Sequence, residues 1–113
     1  MFIASIGGTY IFTSGNGVYG ATKAALNSMA KTLALELGPK NIRVNALCPG
    51  MIETPIIHQD ALCQEQLDED AQSYPLKRYG RPEEVAFSAI YLLSDASSYM
   101  TGSSLVIDGG CTL

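Results

Sequence analysis

The sequence predicts an α/β fold with a parallel sheet, on three observations. A long run of strong helix formers at residues 19–37 is followed, after a short turn, by a compact apolar segment at residues 42–47. The same order recurs after Pro82, with a second apolar segment at residues 103–108. Hydrophobic residues make up 47% of the 113 residues, enough for a core. Helices that alternate with strands are typical of parallel sheets.

The first elements are a short strand, a glycine-rich loop and a long helix. Residues 1–5 are predicted to be the end of a strand, and a loop containing Gly7 and Gly8 follows. Within the helix at residues 19–37, two sets of side chains recur at helical spacing: Ala21, Ala25, Ser28, Thr32 and Leu35, and Leu26, Met29 and Leu33. Gly38-Pro39 is predicted to end the helix, because glycine suits the position after the last turn and proline cannot continue it.

The second half repeats the pattern around a polar, acidic segment. Pro49-Gly50 is predicted to close the strand at residues 42–47, and a weak helix is predicted at residues 60–72. A helix is predicted from Arg81-Pro82 to about Ser94, because proline is tolerated in a first turn and the glutamates after it favour the positive end of the helix dipole. Its predicted buried stripe is Val85, Ala86, Ala89, Ile90 and Leu93.

Charge, hydropathy and cysteine content exclude several kinds of protein. A net charge of −4 without a basic stripe argues against nucleic-acid binding. No apolar run approaches the roughly 18 residues of a membrane span. The first residues also lack the basic region of a signal peptide, so we expect a cytoplasmic protein without membrane association. Cys48, Cys63 and Cys111 have neither CxxC nor zinc-like spacing, so we expect reduced thiols and no metal site.

Tyr19 and Lys23 form the most informative pair of polar residues. Residues i and i+4 of a helix lie on one face, so the phenol and the ammonium point the same way. A nearby cation favours the charged form of an acid, so we expect Lys23 to lower the pKa of Tyr19. A tyrosine whose pKa falls from about 10 toward neutrality can serve as a general acid and base. The spacing alone is a weak signal, because such pairs arise by chance in many helices.

Four ordered segments give this pair a context. Ser5 lies 14 residues before Tyr19, residues 41–54 have the sequence NIRVNALCPGMIET, residues 80–86 are GRPEEVA, and residues 101–110 are TGSSLVIDGG. Over essentially the whole chain these segments resemble the short-chain dehydrogenase/reductase family, above all the bacterial 3-oxoacyl-carrier-protein reductases and their sugar- and alcohol-dehydrogenase relatives. The resemblance implies the C-terminal part of a doubly wound, Rossmann-type parallel sheet, with about three strands and two or three helices.

The resemblance implies three catalytic residues. Tyr19 is similar to the family's acid/base, which exchanges a proton with the substrate oxygen. Lys23 resembles the lysine that lowers the tyrosine pKa and hydrogen-bonds the nicotinamide ribose. Ser5 resembles the serine that orients and polarises the carbonyl. Ser14 is a less favoured rival for that role, because it lies inside the loop only five residues before Tyr19.

The resemblance also implies a cofactor-binding loop. Pro49, Gly50 and Ile52 are similar to the residues whose backbone faces the nicotinamide. Thr54 resembles the hydroxyl that holds the carboxamide or a phosphate, and it is also a candidate N-cap for the segment after it. The implied reaction is hydride transfer between NAD or NADP and a small-molecule carbonyl or alcohol. The choice between NAD and NADP cannot be read from these residues.

The dinucleotide-binding fingerprint of the family has no counterpart among the glycines of this sequence. A strand, a glycine-rich turn and a helix are needed to hold a pyrophosphate, and Gly7-Gly8 is not surrounded by such a unit. We therefore expect residues 1–113 to be the C-terminal catalytic half of the domain, truncated and inactive alone. The alternative is a non-catalytic truncated module that associates with a full-length homologue or with the missing half.

Association is expected in either case. A three-stranded remnant would expose sheet edges and apolar helix faces, which favour pairing with another chain. In the family that this sequence resembles, the helix with the Tyr–Lys pair and the last helix-plus-strand unit commonly form oligomer contacts. We therefore expect a homo-oligomer, or a partner that supplies the missing half.

Overall fold

The computed structural model describes residues 1–58 and 63–113 and contains a three-stranded parallel sheet. In chain order the strands and helices are β1 (Phe2–Ile3), α1 (Gly17–Leu37), β2 (Ala46–Pro49), α2 (Gln64–Ser73), α3 (Pro82–Leu93) and β3 (Ser104–Ile107). The strand order in the sheet is β1-β2-β3, and each connection between neighbouring strands carries at least one helix. This alternation of helices with parallel strands confirms the predicted α/β class. Within the described residues, no helix is long and apolar enough to cross a membrane.

The centre of the sheet is β2, which is buried on both faces. Ala46, Leu47 and Cys48 are all fully buried, as expected for a strand of a parallel sheet that is covered on both sides. Ala30 and Ala34 of α1 pack against this strand within the main hydrophobic cluster. Their small side chains bring the backbone of α1 close to the sheet, which determines how near the first turns of α1 lie to the strand ends.

The predicted strand at residues 42–47 is displaced toward the C-terminus, since β2 spans Ala46–Pro49. Side chains take the place of the regular ladder before it: the Val44 amide donates to Thr101 Oγ1 at 3.0 Å, and Asn45 Nδ2 donates to the Met100 carbonyl at 2.8 Å. The strand ends at Pro49, as predicted, and the Pro49 carbonyl still accepts from the Ile6 amide at 3.1 Å. The missing proline N–H removes only one donor at the strand end.

The prediction that α1 ends at residue 37 is confirmed, but the reason given for Gly38 is wrong. Gly38 has φ −52°, in the right-handed helical region, and continues into the 3-10 turn Gly38–Lys40. Asn41, with φ 59°, takes the left-handed position that ends the turn. Asparagine tolerates this conformation better than most side chains, and the Ile42 amide then donates to the Leu37 carbonyl at 3.2 Å.

The two helical stripes of α1 face different environments. Its buried residues are Gly20, Asn27, Ala30 and Ala34. Leu26 and Leu33 are partly buried against the same cluster, whereas the set that begins at Ala21 lies on the exposed face, with Leu35 81% exposed. The helical period was therefore predicted correctly, but most of the first stripe points to solvent.

The predicted buried stripe of α3 is wrong at Ala86, Ile90 and Leu93, which are exposed, whereas Val85 and Ala89 are half-buried. Leu92 is the buried residue of this helix at 3% exposed, whereas Ile90 and Leu93 are 63% and 66% exposed. Arg43 anchors the end of this helix, because its guanidinium donates to the Leu92 carbonyl at 3.0 Å and the Ser94 carbonyl at 3.1 Å. These bonds tie the C-terminal carbonyls of α3 to the segment that enters β2.

The remaining helix boundaries lie close to those predicted. The first residues of the predicted helix at residues 60–72 lie outside the described residues. The described helix, α2, runs from Gln64 to Ser73. The start of α3 at Pro82 agrees with the prediction, with Glu84 accepting from the Arg81 amide at 2.7 Å. This is the reciprocal half of a capping box, in which a third-position glutamate satisfies a free amide.

Candidate active site

Tyr19 and Lys23 lie together near the start of α1, as the spacing predicts. Lys23 Nζ is 5.7 Å from the centre of the Tyr19 ring, and Tyr19 is 49% exposed. Lys23 Nζ also donates to the Ile3 carbonyl at 3.1 Å. The amides of Phe2 and Ala4 donate toward β2. The amide and the carbonyl of Ile3, which lies between them, therefore face the other edge of β1. This bond therefore anchors the ammonium beside the carboxyl end of β1.

Ser5 and Tyr19 border the same small space, which Gly7 leaves open. The Gly7 amide donates to Ser5 Oγ at 3.1 Å. A Cβ placed on Gly7 would lie 3.5 Å from Ser5 Oγ and 3.3 Å from Tyr19 Cε1. The serine hydroxyl and the tyrosine ring thus converge on one point. Ser14 is exposed, in the turn where the Asn16 amide donates to the Thr13 carbonyl.

Two glycines bring the loop after Ser5 into backbone contact with α1. Gly8 has φ +82°, and a Cβ on it would lie 2.1 Å from the Gly20 carbonyl oxygen. A Cβ on Gly20 would lie 3.1 Å from Gly8 Cα. Because Gly20 directly follows Tyr19, this contact determines how close the tyrosine comes to Ser5. The sequence shows Gly8 in a loop and Gly20 near the start of a helix, but it does not indicate that the two glycines are in contact.

Pro49 and Gly50 lie at the carboxyl end of β2, next to the residues that follow β1. The Pro49 carbonyl accepts from Ile6, the neighbour of Ser5, and the Gly50 amide donates to the Ile107 carbonyl at 2.8 Å. A Cβ on Gly50 would come within 2.8 Å of Asp108 Cα, so β2 and β3 approach closely here. The carboxyl ends of parallel strands are where ligands of open α/β sheets bind.

Ile52 and Thr54 continue this loop toward α2 and α3. Ile52 forms a bridge with Gly80, and the Gly80 amide donates to the Met51 carbonyl at 2.9 Å. Thr54 Oγ1 donates to the Ile52 carbonyl at 3.2 Å, and its own carbonyl accepts from the Ile57 amide at 3.1 Å. The threonine hydroxyl is therefore bonded within its own loop. The contacts of Ile52 and Thr54 place them farther along the carboxyl edge than Ser5 and Tyr19.

An open cleft of about 910 Å³ adjoins this loop. Residues of the loop, of α2 and of the segment after α2 line it, among them Thr54, Leu67, Lys77 and Tyr79. A smaller cavity of about 360 Å³ lies against the Tyr19 ring, between Phe12 and Gly20. Open space thus borders Tyr19 and the loop that follows β2.

A tyrosine–carboxylate cluster fastens α2 to the segment that follows it. Asp70 Oδ2 accepts from Tyr79 at 2.7 Å and from Tyr74 at 3.3 Å, and the two rings meet edge to face at 5.8 Å. Burial, together with the bond to Asp70, raises the pKa of Tyr79 to about 12. The sequence analysis missed this cluster, because the aspartate lies in an acidic run that resembles an ordinary solvated helix face.

An arginine–glutamate pair fixes the start of α3 behind the same cleft. Arg78 donates to both carboxylate oxygens of Glu84, at 2.7 Å and 2.8 Å. Its guanidinium, with help from the Arg81 amide, lowers the pKa of Glu84 to about 2. The two-point contact holds the segment before α3 in a fixed direction. No cluster of three or more metal-ligating side chains occurs in the part of the chain that the structure describes.

The fold and this arrangement define a class of protein: an α/β protein with a ligand site at the carboxyl edge of a parallel sheet. The model of a family described as "Enoyl-(Acyl carrier protein) reductase" matches residues 1–112. Among curated relatives, the 3-oxoacyl-[acyl-carrier-protein] reductase FabG of Thermotoga maritima is 46% identical over 98% of this chain. Oxidoreductase UcpA of Escherichia coli is 40% identical over the whole chain. This chain belongs to the short-chain dehydrogenase/reductase family.

Solved structures agree with this assignment. The ligand-free aldohexose dehydrogenase of Thermoplasma acidophilum superposes with a TM-score of 0.88 at 32% identity, over 96% of this chain and 45% of its own. A short-chain dehydrogenase family protein from Francisella tularensis gives a TM-score of 0.84 at 34% identity, over 96% of this chain and 48% of its own. The chain likewise spans 44% of the Thermotoga protein and 45% of the Escherichia coli protein. The predicted Rossmann-type sheet is therefore confirmed.

Proposed function

We propose that the protein is an NAD(P)-dependent oxidoreductase that interconverts a carbonyl and an alcohol, and that residues 1–113 form its C-terminal catalytic half. The observation that carries this proposal is the convergence of Ser5 and Tyr19 on the space at Gly7, with Lys23 beside the tyrosine ring. In this proposal the substrate oxygen binds beside that space, where the serine hydroxyl and the tyrosine phenol both reach it. The names of the relatives support the substrate class, since they include a ketoacyl reductase and a sugar dehydrogenase.

Ser5 is prepared to donate a hydrogen bond to the substrate oxygen. Its Oγ accepts from the Gly7 amide, which fills one acceptor position and leaves the hydroxyl hydrogen available. A donor aimed at the oxygen stabilises negative charge that develops there during reduction. Tyr19 then donates its phenolic proton to that oxygen, and it accepts the proton back when an alcohol is oxidised.

Lys23 performs two tasks through its ammonium group. It lies 5.7 Å from the Tyr19 ring centre, where the positive charge is attracted to the face of the ring and holds the tyrosine beside it. An ammonium has three hydrogens, and the bond to Ile3 uses one of them. The others are available to the ribose hydroxyls of a bound nicotinamide nucleotide.

The carboxyl edge fits a nicotinamide because it places these donors next to the loop that follows β2, whose residue Pro49 bonds the neighbour of Ser5. Tyr19 and Lys23 would hold the ribose, and Pro49, Gly50 and Ile52 would face the ring. Thr54 would hold the carboxamide or a phosphate after exchanging its bond to the Ile52 carbonyl. When bound, NAD or NADP supplies or accepts the hydride. In this proposal the dinucleotide-binding strand, turn and helix are supplied by polypeptide outside residues 1–113.

A second candidate function is a non-catalytic module that associates with a homologue or with the other half of the domain. The apolar outer side of α3 favours association, since Phe87, Ile90 and Leu93 are between 63% and 69% exposed. Scattered surface apolar residues are ordinary, but three within two turns of one helix are typical of an interaction surface. A homo-oligomer through this face is compatible with either function.

The test joins residues 1–113 to the N-terminal part of the Thermotoga maritima relative. It follows the oxidation of NADH and NADPH with a ketoacyl thioester, and the reduction of NAD and NADP with aldohexoses. Tyr19→Phe should lower turnover by about 10²–10⁴-fold, the usual contribution of a general acid. The control is Tyr99→Phe, because Tyr99 is fully exposed, and it should retain full turnover.

Two outcomes would overturn parts of the proposal. If Tyr19→Phe and the parent chimera turn over equally, the catalytic assignment is wrong. If residues 1–113 alone bind NADH or NADPH saturably at micromolar concentration, the chain contains its own cofactor site, and the assignment as a catalytic half is wrong.

A further inference from the structure

Asn27 is a buried polar residue on the side of α1 that faces the sheet. It is only 5% exposed and belongs to the small set of buried residues of this helix. It follows Lys23 by four residues and Tyr19 by eight, so the three side chains share one helix face. Burying an amide is unfavourable unless its donors and acceptors are paired.

The amide of Asn27 is paired with three side chains. Its Nδ2 donates to Thr9 Oγ1 at 2.8 Å. Its Oδ1 accepts from Ser104 Oγ at 3.1 Å and from Cys48 Sγ at 3.2 Å. Burial raises the pKa of the Cys48 thiol, which keeps the sulfur protonated and able to donate. The network is therefore satisfied by neutral groups.

Each partner of Asn27 belongs to a different part of the candidate site or its supporting sheet. Thr9 lies in the loop that follows Ser5, and Cys48 directly precedes Pro49 at the carboxyl end of β2. Ser104 begins β3. A single side chain thus links the helix of the Tyr–Lys pair to the serine loop and to the strand that leads into the cofactor loop.

We propose that Asn27 is a positioning residue, which fixes the slide and rotation of α1 so that Tyr19 meets Ser5 across the space at Gly7. The apolar contacts of Ala30 and Ala34 hold α1 on the sheet, but hydrophobic packing is non-directional. Hydrogen bonds to three fixed partners are directional and select one alignment. This inference rests on the proposed function, because it concerns the alignment of the same catalytic groups.

The test measures that alignment without cofactor or substrate. One α-hydrogen of Gly7 points in the direction where a Cβ would lie 3.3 Å from Tyr19 Cε1, so its proton chemical shift includes a ring-current contribution. The size of this contribution is the difference in that chemical shift between the parent chain and Tyr19→Leu, measured by NMR. Asn27→Leu should lose at least half of it, and Thr9→Val, which removes only the hydroxyl link to the loop, should lose a smaller part.

The matched control is Ala34→Gly, which weakens the same helix at a buried position without touching the network. It should keep the full ring-current contribution while its denaturation midpoint falls. The proposal is overturned if folded Asn27→Leu and Thr9→Val keep the contribution, or if Ala34→Gly loses as much of it. If Asn27→Leu does not fold, Thr9→Val decides the question. Failure of the carbonyl reductase assay would leave this result unaffected, since no turnover is measured.

Discussion

The contact between Gly8 and Gly20 makes Gly8→Ala the most informative stability test of the site. Gly8 has φ +82°, a conformation that costs an L-residue about 1–2 kcal/mol. Its Cβ would also lie 2.1 Å from the Gly20 oxygen and 2.5 Å from Gly20 Cα. These are backbone atoms of a helix, so relief requires moving α1 or the loop, and overpacking of this kind costs about 1–3 kcal/mol. The expected loss is therefore about 2–5 kcal/mol.

Gly15→Ala is the matched control for the conformational part of this loss. Gly15 has φ +86°, almost the same as Gly8, but a Cβ there would meet nothing within 4 Å. It should lose only the about 1–2 kcal/mol of the backbone conformation. The difference between the two variants isolates the contact with Gly20. Urea unfolding followed by far-UV circular dichroism measures both, because the chain has no tryptophan to report by fluorescence.

The refuting result is a pair of equal losses. If Gly8→Ala and Gly15→Ala agree within about 0.5 kcal/mol, the size of an ordinary surface effect, then Gly8 does not touch α1. The argument that this contact determines the distance between Tyr19 and Ser5 would fail with it. A larger loss for Gly8→Ala, with unchanged slope against urea, would support the contact.

Three further predictions concern the elements around the cleft. Glu84 has a pKa of about 2 against an ordinary 4.5 because of Arg78. Its contribution to the free energy of unfolding is therefore present above pH 4.5 and is lost as the pH falls toward 2. Glu84→Gln should make the urea midpoint fall less steeply in that range. Tyr79 has a pKa of about 12 against an ordinary 10, so the fold loses stability as the pH rises from 10 to 12. Tyr79→Phe should therefore make the urea midpoint less dependent on pH in that range. Arg43→Met should cost about 1–3 kcal/mol in urea unfolding because it removes the hydrogen bonds of a charged group to three carbonyls, whereas Arg81→Met, at a mostly exposed side chain, should cost less than about 0.5 kcal/mol.

The parts of the molecule that could be predicted from sequence depend on local geometry. The last residue of α1 and the pairing of Tyr19 with Lys23 need only the helical period and a strong run of helix formers. The parallel class of the sheet follows from the order of helices and strands. The prediction that residues 1–113 are the C-terminal half of a larger domain rests on family motifs, and the chain spans 45% of the length of the Escherichia coli relative.

The orientation of α3 could not be predicted, because it is decided by distant residues. The helix is apolar on several sides, so its periodicity allows more than one face to be buried. Arg43 lies about 50 residues before the end of α3 and bonds the Leu92 and Ser94 carbonyls. That long-range contact anchors the end of the helix at which Leu92 is buried and Ile90 is exposed. Two further contacts could not be predicted for the same reason: Gly8 with Gly20, and Asn27 with Thr9. Each contact depends on how the loop packs against the helix, which the sequence pattern does not show.

The site therefore divides into residues that carry chemistry and residues that only locate it. In the proposed reaction Ser5, Tyr19 and Lys23 supply a hydroxyl, a phenol and an ammonium, and a sequence motif is enough to propose them. Their separations are determined by residues with no reactive group, because Gly8 brings α1 against the loop and Asn27 bonds the loop to the helix. Gly8→Ala thus keeps the motif but, through one added methyl group, disturbs the distance between Tyr19 and Ser5. Tyr19→Phe keeps that geometry but removes the phenol oxygen that the proposed proton transfer needs. Stability and turnover must then be measured on the same variants, since only their comparison shows which of the two has been removed.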